Sequence, residues 1–386
     1  VLFTKSVSNA TNLHYAYDAQ EVMTARIGLF EDSYPTEQHC ANLIQTLLVN
    51  LKARPEIRSV STTHRYQFLE GPGVNYEMPG QVYAEESDRE FCRFQYVSKD
   101  FFTTIQLPLL QGEYFKPEDF TGDSPRKVII NKAMAEREWP GDNPIGKQFK
   151  PNLSIGEMEF ESLPMVEVIG IVEGMQEAGV LNNADRDGAA FYAPQTVATM
   201  PRFITILVRP NGNMDSVVSI IREELRKLDN NLPIYMVGTP KELNDQALVQ
   251  LTFFNSIFRE FGILAAFLAA VGIYGVITFS VNQRIMEFGI RQALGATQAA
   301  VFKLVFTHAA KQLTLGFFIA FVLLSPIILS PGVRDSMAIF FYEIDPNSIT
   351  PYMWSFGFVT LISILAATPP AVKAASIHPA QALRYE

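Results

Sequence analysis

The stretch that decides the fold is TPKELNDQALVQLTFFNSIFREFGILAAFLAAVGIYGVITFSVNQRIMEFGIRQALGAT, residues 239–297. It opens with a complete helix start, because Thr239 offers a capping hydroxyl, Pro240 takes the first helical position and Glu242 closes a capping box. The middle is apolar and the end is charged. We therefore predict one continuous helix over 239–283 that begins in water and crosses a membrane, followed by a charged elbow.

The first part of this helix, residues 239–260, is predicted to be a stalk outside the membrane. Asn244, Asp245 and Arg259 keep one side of it polar. On the other side, apolar residues recur at steps of four and three, which is typical of helices that pack along a narrow seam. The seam consists of Leu243, Ala247, Leu251, Phe254, Phe258 and Phe261.

Three charge-free segments are long enough to span a bilayer, at 261–283, 312–333 and 349–372. At about 1.5 Å per residue, the first reaches roughly 30 Å. Gly272 and Gly275 give this segment small surfaces for close helix packing, against what we expect to be a partner half. Residues 261–386 are therefore predicted to form an all-α membrane domain with three spans.

The composition agrees with a membrane protein of two or three structural units. The chain has 386 residues, of which 48% are hydrophobic, and its net charge is −9. This acidic balance argues against a surface for nucleic acid. Cys40 and Cys92 are the only cysteines. Either one disulfide or two unpaired buried thiols fits them.

The distribution of basic residues orients the chain. The loop after the first span and the tail are rich in lysine and arginine, whereas the loop after the second span carries Asp335, Glu343 and Asp345. By the positive-inside rule, residues 1–260 then lie outside the cytoplasm. Residues 1–18 resemble no signal peptide. We expect the chain to be a piece of a longer one, with a further span upstream.

Residues 1–238 are predicted to form an α/β domain in which one subdomain is split around another. The split subdomain occupies about 20–65 and 200–238, with strands at 22–29, 59–63, 203–208 and 233–237 and helices at 35–51 and 214–228. The inserted subdomain occupies about 66–199, with a loop at 71–80, strands at 93–97, 128–130 and 166–172, and helices at 100–104 and 132–139.

Two motifs look like ligand sites, and we interpret both as turns. Gly141, Gly146 and Lys147 fit the start of a phosphate-binding loop, but Gln148 stands where the magnesium hydroxyl is needed and a predicted helix precedes it. A second motif resembles half a calcium loop, with Pro194 at the position that requires glutamate, and consists of Asn183, Asp185, Asp187 and Gly188. We expect no metal, no cofactor and no catalysis from this chain.

The elbow carries the most informative pattern in the chain. Glu287 and Arg291 are spaced for an ion pair, and we assign Ile285, Phe288 and Leu294 to one apolar face. Gly295 is a natural helix stop, and Thr297 can cap the next helix. From the residues alone, this segment either lies in the lipid headgroups or docks in a groove of a cytoplasmic partner.

The elbow resembles the coupling segment of the MacB/FtsX-type ABC transporter permeases, whose pattern is E-x-G-I-R-x-A-L-G-A. The matching residues are Glu287, Gly289, Ile290, Arg291, Ala293, Leu294, Gly295 and Ala296. Residues 97–115 and 128–149 are similar to segments of the family's MacB-like periplasmic core domain, and 378–386 resembles its C-terminal signature. The chain departs from the family in one respect, since the family unit has four spans.

The resemblance implies a type VII ABC transporter of the bacterial inner membrane, with the large domain in the periplasm. ATP would be bound by a cytoplasmic partner subunit and not by this chain. The second permease half would be a copy of the chain or a fused first half, and a periplasmic or outer-membrane partner is expected. Contact with the ATPase is implied for Arg284, Glu287, Phe288, Gly289, Arg291, Leu294, Gly295, Ala296 and Thr297.

The function implied is mechanotransmission for efflux, in which ATP hydrolysis moves the stalk and the periplasmic domain. The alternative is a regulatory membrane scaffold that binds and activates a periplasmic partner, such as a cell-wall hydrolase, without transport.

Overall fold

The computed structural model describes residues 2–11, 15–64, 73–83, 89–122, 126–152, 154–155, 158–159, 164–175, 188–330 and 350–376. The chain divides into two compact units. One consists of Asn9–Val249, and the other consists of Val1–Ser8 and Gln250–Glu386.

The strands lie in the first unit. In chain order they are β1 (Met23–Gly28), β2 (Ile57–Thr63), β3 (Gly73–Glu77), β4 (Glu90–Val97), β5 (Leu109–Gly112), β6 (Lys127–Asn131), β7 (Gln148–Asn152), β8 (Ser154–Ile155), β9 (Met158–Glu159), β10 (Val166–Val172), β11 (Ala190–Pro194), β12 (Phe203–Pro210) and β13 (Ile234–Gly238).

The helices occur in both units. They are α1 (Leu2–Thr11), α2 (Glu37–Lys52), α3 (Phe101–Ile105), α4 (Lys132–Glu138), α5 (Val217–Leu228), α6 (Pro240–Ala247), α7 (Val249–Gln283), α8 (Ile285–Ala293), α9 (Gln298–Leu329) and α10 (Thr350–Ala375). A 3-10 turn covers Pro117–Phe120.

One end of the sheet has the antiparallel order β2-β12-β1-β13. Helices α2 and α5 contribute to its core, where Leu47 and Ile221 pack with Ile27 of β1. The α2 helix starts at this place because the hydroxyl of Thr36 accepts a hydrogen bond from the backbone N–H of His39. Its apolar residues then recur at helical spacing and are buried.

The other strands close on themselves. Each strand pairs with the next in the spatial order β4-β3-β7-β10-β6-β11. The ring closes because β11 also pairs with β4, in parallel register, with Ala190 opposite Arg93. Aromatic side chains fill this six-stranded ring, among them Phe94, Phe149 and Phe191. Between β2 and β4 the ladder consists of a single pair, Thr63 opposite Val97.

Each strand and helix predicted for residues 20–238 is present, with bounds that differ by a few residues. The prediction of a loop at 71–80 is wrong for Gly73–Glu77, which forms β3. Glycine and proline around this segment look like a turn, yet Val74 and Tyr76 alternate inward and are fully buried. The predictions also lack β5, β7, β8, β9 and β11.

No disulfide joins Cys40 and Cys92, whose buried side chains lie in separate hydrophobic clusters. The residues that resemble a phosphate-binding loop form a turn, as predicted. It follows α4, both Gly141 and Gly146 have positive φ, and Lys147 Nζ lies 3.0 Å from Asp142 Oδ2. Of the calcium-like motif, Asn183, Asp185 and Asp187 lie outside the described residues, while Pro194 belongs to β11.

The predicted capping box at the start of the stalk is present. Glu242 N–H donates to Thr239 Oγ1 at 3.2 Å, and Thr239 N–H donates to Glu242 Oε2 at 2.9 Å. The prediction of a continuous helix over 239–283 is wrong at one residue, because α6 ends at Ala247 and α7 begins at Val249. Between them, ψ of Leu248 is −4°, which turns the backbone away from helical geometry.

Three described helices are long and apolar enough to cross a membrane, over Val249–Gln283, Gln298–Leu323 and Met353–Ala375. They overlap the three predicted spans. Large apolar side chains are exposed along all of them, including Phe267, Phe321 and Leu365. Such a surface is typical of helices that face lipid. The end of the second predicted span and the acidic loop after it lie outside the described residues.

Candidate functional site

The elbow is a short helix, α8, bounded by a defined turn at each end. Arg284 separates it from α7, and its backbone N–H donates to Val281 O at 3.0 Å. At the other end, Gly295 has φ +96°. Gly295 N–H bonds Gln292 O at 3.0 Å and Ala296 N–H bonds Arg291 O at 2.9 Å, which is a Schellman motif. The predicted stop at Gly295 is confirmed.

The next helix begins at the predicted cap. Ala300 N–H donates to Thr297 Oγ1 at 3.3 Å, so the hydroxyl satisfies one of the free amide groups at the start of α9. The direction of the chain on both sides of α8 is therefore fixed by local hydrogen bonds.

One face of α8 packs inside the helical unit. Phe288 is only 2% exposed and belongs to a cluster of apolar residues from α7, α9 and α10. Gly289 beside it is buried. On the same face, Gln292 Nε2 donates to the backbone oxygen of Ala375 at 3.1 Å. These contacts hold α8 against the ends of three longer helices.

A second face of α8 carries an apolar stripe, defined as Met286, Ile290 and Leu294, which are 52%, 43% and 84% exposed. The prediction that Phe288 and Leu294 share one face is wrong. Six steps of 100° place Leu294 about 120° around the helix axis from Phe288. The sequence did hold a signal for the stripe, because its residues recur at steps of four.

An ion pair lies beside the stripe. Arg291 Nη2 is 2.6 Å from Glu287 Oε1, which confirms the predicted pair, and Arg284 Nε is 3.9 Å from Glu287 Oε2. All three side chains are exposed by 40–48%. Such pairs stabilise a helix by only about 0.3–0.5 kcal/mol. Their charges therefore remain accessible to a partner.

The predicted stalk and packing residues belong to α6 and α7. Leu243 is buried, Ala247 and Leu251 are half-buried, and Phe254 and Phe258 are exposed. A Cβ added to Gly272 or Gly275 would meet no heavy atom within 4 Å. Asn244, placed on the polar side of the stalk, is buried, and its amide donates to Ala10 O at 3.3 Å. Among the described residues, no group of three His, Cys, Asp or Glu side chains could hold a metal ion.

Two family models match this chain. Residues 15–224 match the family model described as MacB-like periplasmic core domain, and residues 260–379 match FtsX-like permease C-terminal. A crystal structure of the periplasmic region of MacB from Actinobacillus actinomycetemcomitans is similar with a TM-score of 0.38 and 13% identity, over 61% of this chain and 95% of that one.

Two curated relatives are ABC export proteins by name. The pyoverdine export ATP-binding/permease protein PvdT of Pseudomonas putida is 25% identical over 299 residues, which cover 74% of this chain and 42% of that protein. The macrolide export ATP-binding/permease protein MacB of Bdellovibrio bacteriovorus is 25% identical over 279 residues, which cover 67% and 39%. The chain thus spans about two fifths of the length of these relatives.

Each family model corresponds to one part of the structure: the MacB-like model matches the α/β unit and the FtsX-like model matches the apolar helices. The chain therefore belongs to the MacB/FtsX-type family of ABC transporter permeases.

Proposed function

We propose that this chain is a permease subunit of a type VII ABC transporter and that α8 is its contact with a cytoplasmic ATP-binding subunit. One observation carries the proposal. The stripe of Met286, Ile290 and Leu294 is exposed on a helix whose buried face is held by Phe288 and Gln292. Apolar anchors at steps of four are what a helix presents to a groove in a partner.

The same geometry favours a protein groove over the lipid headgroups. A helix that lies in the interface buries a wide apolar face and has lysine and arginine on its polar face. The stripe is one residue wide, and Glu287 lies next to it. In a protein groove, the charges of the Glu287–Arg291 pair can set the register.

Transmission of force is the second part of the proposal. In this account, ATP binding and hydrolysis by the partner move α8, and α7 carries the movement over its 35 residues to Val249. Beyond Leu248, α6 is fixed at its start by the Thr239–Glu242 capping box, directly after β13. The stalk then acts as two rods joined at one residue.

The remaining parts of the proposal follow the relatives, whose names state that they bind ATP and export a substrate. We propose export from the bacterial inner membrane, with the α/β unit in the periplasm. The open surfaces at Gly272 and Gly275 support close approach of a second permease half. A periplasmic or outer-membrane partner of the α/β unit belongs to the same proposal.

For the α/β unit, we infer a subdomain of residues 20–65 and 200–238 split around an insertion of residues 66–199. The hydrophobic cluster of β1, β2, β12, α2 and α5 supports this division, because its fully buried members come from the two ends of the unit. The six-stranded ring, in contrast, is built from strands of the inserted residues: β3, β4, β6, β7, β10 and β11.

The proposal is tested by the ATPase activity of the reconstituted complex. We expect Leu294→Asp and Glu287→Arg to abolish the dependence of ATP hydrolysis on the permease, because each places an unpaired charge in the contact. At a hot spot, such a loss exceeds about 2 kcal/mol, or roughly thirtyfold in affinity. Val82→Asp is the matched control, since Val82 is 97% exposed in the α/β unit. Normal coupling in both elbow variants would contradict the proposal.

A charge swap sharpens the test. The double variant Glu287→Arg, Arg291→Glu keeps an ion pair on α8 but reverses the charges that a partner meets. If the charges of the pair contact the partner, coupling stays lost in the double variant. If the pair only stabilises α8, coupling is restored.

A second measurement separates export from the regulatory scaffold. Stimulation of the ATPase activity by a transported substrate is expected for an exporter and not for a scaffold.

A further inference from the structure

A small cleft opens within the helical unit where α7, α8 and α9 meet. Its volume is about 20 Å³, which is room for one water-sized group. Its apolar wall includes Phe288, and its polar wall consists of Ser280, Arg284, His308 and Gln312. Four side chains with hydrogen-bond donors therefore surround a space that admits a single oxygen atom.

The cleft is electropositive. Glu287 is the only acidic residue between positions 261 and 330, and it is bound by Arg291 at 2.6 Å. Arg284 lies 3.9 Å from the same carboxylate, too far for a hydrogen bond. Its guanidinium thus keeps donors for another acceptor. Lys311 adds a further exposed cation one position before Gln312.

The cleft lies where two apolar surfaces end. Arg284 directly follows the charge-free segment 261–283, and Gln312 begins the charge-free part of α9. Val276 and Leu315 lie one helical turn deeper, on the faces of Ser280 and Gln312, and both are exposed. In a membrane, acyl chains would cover these two residues and phosphate groups would lie at the level of the cleft.

We propose that this cleft binds the phosphate group of an anionic phospholipid. One phosphate oxygen enters the cleft and accepts hydrogen bonds from Arg284 and His308, while the acyl chains lie on Val276 and Leu315. A lipid fits better than a free anion because the polar wall continues directly into apolar surface. Basic pockets between membrane helices on the cytoplasmic side bind lipid headgroups in the same way.

The experiment is a lipid titration of the full chain, followed by native mass spectrometry. Phosphatidylglycerol and phosphatidylcholine with the same acyl chains are compared. We expect tighter binding of phosphatidylglycerol, and Arg284→Gln lowers that affinity about fivefold, the effect of one basic residue near the surface. Arg284→Lys retains most of the preference because the charge is kept. Arg259→Gln is the matched control, since Arg259 is an exposed cation of α7 outside the cleft.

Three results would overturn the assignment. The first is equal affinity for both lipids, and the second is an equal loss of affinity in Arg284→Gln and Arg259→Gln. The third is displacement of phosphatidylglycerol by an equal concentration of inorganic phosphate, which would make the cleft a site for free anions. No nucleotide or partner enters the measurement, so its failure leaves the coupling proposal intact.

Discussion

The side-chain amide of Gln292 donates a hydrogen bond to the backbone oxygen of Ala375 at 3.1 Å. Gln292 belongs to the elbow helix α8, and Ala375 is the last residue of α10. Carbonyl groups at a helix end have no partner within their own helix. This bond therefore ties the elbow to the end of a membrane helix and limits the freedom of the proposed docking surface.

We expect Gln292→Leu to loosen α8 without unfolding the unit. A hydrogen bond of this kind contributes about 0.5–1.5 kcal/mol, so amide exchange in α8 should accelerate about two- to tenfold. Hydrogen–deuterium exchange of peptides from 284–297 measures this. Gln250→Leu, a substitution of the same type at an exposed position of α7, is the control and should leave α8 unchanged. Equal protection of α8 in Gln292→Leu and the unsubstituted protein would show that the bond is not formed.

Truncation of a side chain on the buried face of α8 should affect stability far more than truncation on the exposed face. Phe288→Ala removes a buried ring and should cost about 3–5 kcal/mol of unfolding free energy, because a cavity remains in the cluster. Leu294→Ala should cost less than about 0.5 kcal/mol, because the side chain is exposed. Denaturant titration in detergent micelles measures both. A large loss of stability in Leu294→Ala would contradict the exposed stripe.

Gly295 is predicted to resist substitution for a backbone reason alone. Its φ is +96°, and a Cβ added there would meet nothing within 4 Å. Gly295→Ala should therefore cost about 1–2 kcal/mol through the left-handed conformation and not through a clash. Gly316→Ala in α9 is the control, because it also has open space but lacks the positive φ. Equal effects in thermal unfolding would count against the Schellman turn.

Acid is predicted to destabilise the α/β unit. The pKa of Glu224 is lowered from 4.5, first by the hydrogen bond from Lys227 and then by that from Arg54. A carboxylate with a lowered pKa stabilises the fold above its unfolded pKa, and this stabilisation is lost as the pH falls through the folded pKa. The free energy of unfolding should therefore decrease as the pH falls below 4.5 and through the lowered pKa of Glu224 in the folded protein.

Glu224→Gln isolates this contribution. The substitution should reduce the free energy of unfolding by about 1 kcal/mol near neutral pH. This value is small because the partner Lys227 is exposed to solvent. The free energy of unfolding should also depend less steeply on pH below 4.5. Urea titrations followed by Trp139 fluorescence in a Trp354→Phe background measure it. An unchanged slope against pH would remove Glu224 from the explanation.

Several of the predicted strands are rich in β-branched residues. Residues 166–172 form a strand with the predicted bounds because the segment is largely apolar and six of its seven residues are buried. The segment 73–77 was missed because its local composition indicates a turn, while burial of Val74 and Tyr76 overrides this preference. Closure of the ring by β4 and β11 joins residues nearly a hundred positions apart, and no local pattern reports such a pairing.

The elbow shows the same limit at a smaller scale. Its cap, stop and ion pair involve neighbours in sequence, so Thr297, Gly295 and Glu287 were predicted correctly. The burial of an apolar side chain on α8 depends on the packing of α7, α9 and α10. These helices cover Phe288 and leave Leu294 exposed. The break at Leu248 has no sequence signal, because no glycine or proline lies within seven residues of it.

The central claim is that the stripe on α8 contacts an ATP-binding subunit. Its most direct test places a photo-crosslinking amino acid at position 294 in the intact cell membrane, with position 82 as the exposed control in the α/β unit. We predict a crosslink from position 294, and not from position 82, to a subunit that binds ATP. A crosslink from position 294 to lipid alone, with none to protein, would contradict the account.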